Sequence, residues 1–316
     1  MSTIILIDEK SNDKKEDNQE FESKIAKSYF LLIGSIFFKE LYYICIIILQ
    51  KYNYILLPSN KLFFLICFYQ IIFSTIFIKL DHINIMTKKH FNVAKFNFFL
   101  IRCIVECFKT LLIIFSLSNI PYVSCRIILL IYPIFVSYIY LKLKMDTVKR
   151  FDKICYLFTF LLCIIFFFQY MKGTIYSVFA SMILSIGVLL DKKICKDFHP
   201  YFINFLSNIF GLFVSSIFII FYDIKVNIGY CEHILSILCS ISGFFYFYKR
   251  QKYVQLGSLL ERSYSLYISL FLIYTFSFLI LDSNPSLIDV FATLILIPIS
   301  YYSKLRLESS ETEDDL

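Results

Sequence analysis

The stretch that decides the fold runs from residue 116 to residue 160 and reads SLSNIPYVSCRIILLIYPIFVSYIYLKLKMDTVKRFDKICYLFTF. Within it, residues 121–141 form an apolar run of about the 20 residues that an α-helix needs to cross a bilayer. A short basic turn follows, and a second apolar run begins near Lys153. The stretch therefore predicts two membrane-spanning helices joined by a charged loop.

The same alternation of apolar runs and short loops extends along the chain. Of its 316 residues, 59% are hydrophobic and 17% are charged, and the mean hydropathy is +0.71. Soluble domains are typically about 45–50% apolar and about 25% charged. We therefore predict an all-α polytopic membrane protein with ten transmembrane helices. The predicted spans are 28–49, 62–79, 96–117, 121–141, 153–170, 173–190, 201–222, 233–248, 254–280 and 286–302.

Basic residues are concentrated in every second loop, and this pattern predicts the orientation. Cytoplasmic loops carry an excess of Lys and Arg. We therefore expect the even-numbered loops and both termini to face the cytoplasm, while the sequence leaves open which cellular membrane holds the protein. The basic residues of the even loops and their edges are Lys79, Lys88, Lys89, Lys95, Lys142, Lys144, Lys149, Arg150, Lys153, Lys192, Lys193, Lys196, Lys249, Arg250 and Lys252.

Ten spans divide into two halves of five, and an odd number of spans per half places the halves in opposite orientations. We predict two inverted five-helix repeats, residues 28–170 and residues 171–303. Inverted repeats place a substrate site near the membrane midplane, between the halves. Residues 1–27 are predicted to be a disordered cytoplasmic tail, and residues 304–316 an acidic cytoplasmic tail.

Charged residues inside the predicted spans are candidate site residues. An ionisable group near the bilayer centre costs about 2.5–3.5 kcal/mol on insertion scales, so it usually faces a cavity or a partner. Arg102, Glu106 and Lys109 share one face of the third span and can pair along it. Lys39 and Glu40 are adjacent in the first span and are more simply explained as a local charge pair.

The second and fourth spans add further candidates. Tyr69 and Gln70 are potential polar liners of the second span. Arg126 lies near the outer end of the fourth span, where it could line a pathway or extend outward to the interface. Pro133 lies in the middle of that span, removes one backbone hydrogen bond and predicts a kink.

The ninth span carries Glu261 and Arg262 about eight residues, or about 12 Å, from its start. Tyr264 lies one turn beyond Glu261 and is a candidate polar liner. For all these charged residues the sequence leaves two interpretations open. They line a polar path for a solute, or they neutralise one another and hold the bundle together.

Three stretches resemble the EamA-type drug/metabolite transporter superfamily, which is related to nucleotide-sugar and triose-phosphate transporters. Pro133-Ile134-Phe135 is similar to the proline-aliphatic-phenylalanine group of the family's fourth span, and Lys144-Met145-Asp146 stands where Gly-Glu-Arg is common. Residues 173–213 are similar to the start of a second repeat, with Gly173, Lys192 and Pro200 as landmarks. Residues 256–272 resemble a ninth span that in some eukaryotic members carries an arginine at the position of Arg262.

The resemblance covers roughly residues 28–303 and implies a ten-span, two-repeat transporter of small organic solutes. One feature departs from the family. The small residues usual in its helices are mostly replaced here by Phe, Ile and Tyr, so close helix packing through small residues is not predicted.

The leading hypothesis for function is a secondary transporter or exchanger that moves a small polar organic solute by alternating access. The buried arginines favour an anionic solute, since a guanidinium can bind an oxyanion through two hydrogen bonds. The alternatives are a membrane-embedded enzyme and a non-transporting scaffold or channel. No nucleophile–base set, phosphate-binding loop or cluster of metal ligands is evident, so we predict no catalytic residue, cofactor, metal or nucleic-acid partner. The oligomeric state is left open.

Overall fold

The computed structural model describes residues 2–51, 58–80, 93–143, 149–194, 197–221, 229–255 and 264–312. This part of the chain is helical throughout and contains no β-strand. Its helices are α1 Ser2–Lys51, α2 Ser59–Leu80, α3 Val93–Asn119, α4 Tyr122–Leu129, α5 Tyr132–Leu143, α6 Arg150–Gln169, α7 Met171–Ile194, α8 Pro200–Phe221, α9 Tyr230–Gln255, α10 Tyr264–Leu279 and α11 Leu287–Thr312.

Seven helical segments of the described residues have the length and apolar composition of a membrane span. Two further apolar segments, Leu266–Leu279 and Leu287–Ser303, are shorter. α3 has the length of a span but carries three charged residues along its middle. The seven segments are Ala26–Lys51, Ser59–Leu80, Tyr122–Leu143, Arg150–Gln169, Met171–Asp191, Pro200–Phe221 and Tyr230–Gln255.

The fourth predicted span is divided into two helices around Pro133. α4 ends at Leu129 and α5 begins at Tyr132, which confirms the predicted kink. Proline has no N–H to donate to the carbonyl four residues earlier, and its ring crowds that carbonyl. Directly before the proline, the Tyr132 carbonyl accepts a hydrogen bond of 2.9 Å from the Ser185 hydroxyl of α7.

Both predicted tails are partly helical. α1 begins at Ser2, so residues 2–27 continue the first span as helix where the sequence predicts a disordered tail. No proline or glycine precedes Gly34 to end a helix in this segment. At the other end, α11 continues to Thr312. The cytoplasmic location of both tails remains a prediction.

Helices from the first half of the chain pack against helices from the second half, and not only against their neighbours in the sequence. α1 lies along α9, α3 lies along α7, and α2 lies along α8. α2 also contacts α9, and α3 also contacts α8. α1 contacts α10, and α7 contacts both α4 and α5. The first and second halves of the chain are therefore packed into one bundle.

A stripe of small residues lets α7 approach its neighbours closely, in contrast to the packing expected from the sequence. Gly173, Ser177, Ser181 and Ser185 recur every four residues, and the three serines are fully buried. The Ser116 hydroxyl of α3 donates to the Gly173 carbonyl over 3.1 Å. Serine and glycine thus supply the small surface that alanine often supplies in membrane helices.

α8 carries a similar stripe of Ser207, Gly211 and Ser215, spaced by four. All three are buried on the side of α8 that meets α2. A Cβ atom added at Gly211 would lie 2.5 Å from Cys67 Sγ and 3.1 Å from Phe63 Cζ. Glycine is therefore required for the present separation of α2 and α8.

We expect Gly211→Ala to lower the melting temperature of the purified protein, because α2 and α8 must separate to admit the new methyl group. Gly187→Ala in α7 is the matched control, since its Cβ would lie 3.5 Å from Val105 Cγ1, an ordinary contact. Alanine favours a helix by up to about 1 kcal/mol over glycine, so the control should melt at the wild-type temperature or above it. Gly211→Ala protein that melts no lower than the control would contradict the close contact.

Candidate functional site

Glu40 in α1 is the centre of a buried ion cluster that joins the first and fourth predicted spans. Arg126 donates from Nη2 to Glu40 Oε1 over 2.5 Å and from Nε to Oε2 over 2.8 Å. The Tyr122 hydroxyl donates to Oε2 over 2.8 Å, and Lys39 Nζ lies 3.8 Å from Oε1. The Arg126 guanidinium also lies 4.4 Å from the centre of the Tyr43 ring.

This cluster bears on two alternatives that the sequence leaves open. Arg126 is only 2% exposed and points to Glu40 rather than outward to the interface. Glu40 contacts its neighbour Lys39, but its three short hydrogen bonds come from Arg126 and Tyr122. A fully buried carboxylate needs such partners, since an unpaired charge in an apolar interior is strongly destabilising.

A second buried cluster is centred on Asp191 in α7. Arg102 in α3 donates from Nε to Asp191 Oδ1 over 2.5 Å and from Nη2 to Oδ2 over 3.1 Å. Gln251 Nε2 donates to Oδ1 over 3.0 Å, and Arg250 Nη2 lies 3.5 Å from Oδ2. The cluster therefore ties α3, α7 and α9 together through one fully buried carboxylate.

The charged row predicted along α3 is confirmed. Arg102 Nη1 donates to Glu106 Oε2 over 2.7 Å, and Lys109 pairs with the other Glu106 oxygen. All three side chains are buried. Because Arg102 binds both Glu106 and Asp191, the row of α3 and the Asp191 cluster form one continuous network.

A polar cavity, here called the central cavity, lies between helices of both halves of the chain. It is formed by α1, α2, α3, α8 and α9 and contains about 520 Å³ of space between atoms, open space included. Asn208 Nδ2 donates to Gln70 Oε1 over 3.0 Å at its wall. Its polar lining residues are Tyr42, Tyr43, Gln70, Glu106, Lys109, Thr110, Asn204, Ser207, Asn208 and Tyr246.

A second cavity lies between α1, α4, α5, α7 and α9 and contains about 550 Å³ by the same measure. Tyr43 and Tyr246 line both cavities, so they stand between them. The charged lining residues of the second cavity are Lys39, Arg126 and Arg250. Its other lining residues are Leu129, Leu130, Tyr132, Leu184, Val188, Tyr253 and Val254.

The predicted site residues are distributed over these features. Glu106 lines the central cavity, Arg102 is joined to it by an ion pair, and Arg126 lines the second cavity. Pro133 follows Tyr132, a lining residue of the second cavity, but does not line it. Three predicted residues cannot be placed at a cavity: Glu261 and Arg262 lie outside the described residues, as does the side chain of Tyr264.

Sequence reasoning missed several residues of both cavities. The predicted sixth span ended at residue 190 and the predicted eighth at residue 248, so Asp191 and Arg250 were assigned to loops. The helices continue to Ile194 and Gln255 instead. A usable signal was the helical spacing of Gly243, Phe247 and Arg250 on one face of α9.

The polar face of α8 was also missed. Asn204, Ser207 and Asn208 follow one another at helical spacing and are buried among apolar residues. They offer amide and hydroxyl groups rather than a ligand set for a metal. Within the residues that the structure describes, no group of three His, Cys, Asp or Glu side chains could hold a metal ion.

Comparison with known proteins gives a consistent result. The model of the EamA-like transporter family matches residues 171–302. A crystal structure of a protein has the same fold with a TM-score of 0.61 at 11% sequence identity, and the match covers 90% of this chain and 98% of the other. No curated protein sequence matches the chain. The match of residues 171–302 to the EamA-like transporter family confirms the predicted resemblance, and together with the apolar helices it supports an integral, multi-pass membrane protein.

Proposed function

We propose that the protein is a secondary transporter that moves a small polar organic solute by alternating access and binds it in the central cavity. The observation that carries the proposal is a polar cavity enclosed by helices from both halves of the chain. Ligand sites are concave and have a few convergent polar groups on a largely apolar wall. Gln70, Asn204 and Asn208 supply hydrogen-bonding groups, and Glu106 and Lys109 supply one charge of each sign.

A ten-span chain of two inverted repeats is part of the proposal, and the packing of the helices supports it. If α1 corresponds to α7, α2 to α8 and α3 to α9, then α4 with α5 corresponds to α10. Under this correspondence, the contact between α1 and α9 is equivalent to the contact between α7 and α3, and both contacts are observed. Likewise, the contact of α2 with α9 becomes that of α8 with α3, and α1 with α10 becomes α7 with α4 and α5. Such an exchange of contacts is expected when two similar halves are related by a two-fold axis.

The boundary between the proposed repeats is supported by the family match. That match begins at Met171, which is also the first residue of α7 and of the second predicted repeat. It ends at residue 302, within α11. The matched domain therefore contains the five helices α7 to α11.

The central cavity lies between two layers of helix-to-helix contacts, as alternating access requires. Towards one end of the bundle, Gln50 Nε2 donates to Ser59 Oγ over 3.0 Å and to the Ile114 carbonyl over 3.2 Å. Lys51 Nζ donates to the Ile120 carbonyl over 2.7 Å. These contacts join the end of α1 to α2 and to the C-terminal part of α3 at that end of the bundle.

The layer towards the opposite end is ionic and aromatic. It consists of the Asp191 cluster and of Phe99, whose ring lies 4.4 Å from that of Phe198 and 5.3 Å from that of Phe202. On α3, the cavity residue Glu106 lies between Phe99 of this layer and Ile114 of the other. We propose that the two layers open in turn as the halves rock about the cavity.

We further propose that the solute is negatively charged. Around the two cavities, five buried cations stand against three buried carboxylates among the described residues. The cations are Lys39, Arg102, Lys109, Arg126 and Arg250, and the carboxylates are Glu40, Glu106 and Asp191. An excess of positive charge in a low-dielectric interior favours binding of an anion.

We expect purified protein in proteoliposomes to take up at least one member of a labelled panel of amino acids, nucleosides, sugars and carboxylates. Unlabelled solute inside the vesicles should accelerate that uptake, because alternating access couples inward and outward steps, whereas a channel shows no such acceleration. Glu106→Gln should reduce uptake at least tenfold, since it removes the carboxylate that holds Arg102 and Lys109 in position at the central cavity.

The matched control is Asp197→Asn, which removes a carboxylate from an ion pair with Lys95 at the surface. Exposed pairs contribute little to stability, so this variant should transport at the wild-type rate. Folded Glu106→Gln protein that transports as fast as the control would remove the central cavity from the proposal. Failure of every panel member with folded wild-type protein would contradict the solute class.

We also propose that both termini face the cytoplasm, from the excess of basic residues in alternate loops. A protease-sensitive tag after Leu316 should be cut in permeabilised cells and protected in intact ones. A tag in the segment after Lys51 should be cut in intact and in permeabilised cells alike, for protein at the cell surface. Cleavage of the terminal tag in intact cells would reverse the orientation.

A further inference from the structure

We infer that the second cavity is a binding site for an oxyanion, that is, a carboxylate, sulfate or phosphate group, held by Arg250 and Lys39. This site is separate from the central cavity, and its occupation does not require transport. It is lined by three cations and, among the described residues, by no carboxylate.

Arg250 is the strongest indication of a ligand. Its side chain is only 9% exposed, yet Nη1 has no hydrogen-bond partner. Nη2 makes a single long contact of 3.5 Å to Asp191 Oδ2. A buried donor without a partner is costly, and most such groups in native structures are bonded to protein, water or a ligand. A guanidinium can donate two parallel hydrogen bonds to one oxyanion.

The nearby carboxylates are already engaged by other cations. Both Asp191 oxygens accept hydrogen bonds from Arg102, at 2.5 and 3.1 Å. Both Glu40 oxygens accept hydrogen bonds from Arg126, at 2.5 and 2.8 Å. The positive charge of Arg250 is therefore only partly compensated by these two carboxylates.

The remaining wall of the second cavity strengthens binding of an anion. Leu129, Leu184 and Val188 contribute apolar surface, which lowers the local dielectric and increases the attraction between opposite charges. Tyr253 lies on the same wall as a phenol that can also donate a hydrogen bond. An oxyanion is the ligand class that such a cationic, partly apolar cavity would select over a cation or a neutral amide.

The test titrates the full-length protein in detergent with inorganic phosphate, with sulfate and with acetate, at an ionic strength held constant with chloride. We expect a saturable rise in melting temperature and a heat of binding by calorimetry for at least one of these anions. Arg250→Gln should raise the Kd at least tenfold. Asp191 keeps its bonds from Arg102 and Gln251 in this variant, so the fold should be retained.

The matched control is Lys249→Gln, which removes a positive charge from the adjacent residue of the same helix. Lys249 lies over the Phe30 ring at 4.5 Å and does not line the second cavity. Its Kd should equal that of the wild type. A second variant, Leu184→Phe, fills the cavity and leaves every charge in place, and it should also weaken binding.

Saturable binding that is lost in Arg250→Gln and Leu184→Phe and kept in Lys249→Gln would support the site. Should Arg250→Gln fail to fold, the comparison of Leu184→Phe with Lys249→Gln decides the question. Absence of saturable binding to any of the three anions, or equal binding by all variants, would overturn it. These outcomes are independent of solute uptake, so the oxyanion site and the proposed transport can fail separately.

Uptake measurements in the presence of phosphate or sulfate distinguish between two sources of the oxyanion. A free inorganic anion would bind at the second cavity without slowing uptake of the solute identified in proteoliposomes. An acidic group of the solute itself would instead compete with phosphate or sulfate for the site. Those anions would then inhibit uptake by the wild-type protein. They would not inhibit uptake by Arg250→Gln protein, provided that this variant still transports. Either result is compatible with the site, which the variants above test.

Discussion

The bundle depends on three buried carboxylates, each of which contacts two cations. Three carboxylates, Glu40, Glu106 and Asp191, hold the cations that lie among apolar helices. Each carboxylate bridges at least two helices or two turns, because no water is present in an apolar interior to satisfy its oxygens. The positions of α1, α3, α4, α7 and α9 around the cavities follow from these shared carboxylates.

Close packing supplies the second requirement, and serine supplies much of it. On α7 and α8, serine and glycine recur every four residues along the faces that meet α3 and α2. A serine in a helix can return its hydroxyl to the carbonyl four residues earlier, as Ser207 does to Ile203 at 2.7 Å. Most of the hydroxyl groups between these helices are therefore hydrogen-bonded although the helices lie close together; Ser181 Oγ is an exception.

How much of this arrangement could be predicted depends on the distance between partners in the sequence. The pairing of Arg102, Glu106 and Lys109 follows from helical spacing alone and was predicted. The pair of Glu40 and Arg126 spans 86 residues, so no local pattern indicates it. Asp191 and Arg250 were missed for another reason: each stands beside lysines near the end of its helix, where a charged residue is ordinarily assigned to a loop.

The ion network gives the two cavities a physical connection. Glu106 and Lys109 line the central cavity, and Arg250 lines the second. Between them, Arg102 binds Glu106 at 2.7 Å and Asp191 at 2.5 Å, and Asp191 contacts Arg250 at 3.5 Å. A charged ligand in either cavity therefore changes the electrostatic energy of the ion pairs that Arg102 and Asp191 make between the two cavities. Coupling between two sites is reciprocal in its free energy, so any effect of a ligand in one cavity on binding in the other acts by the same factor in both directions.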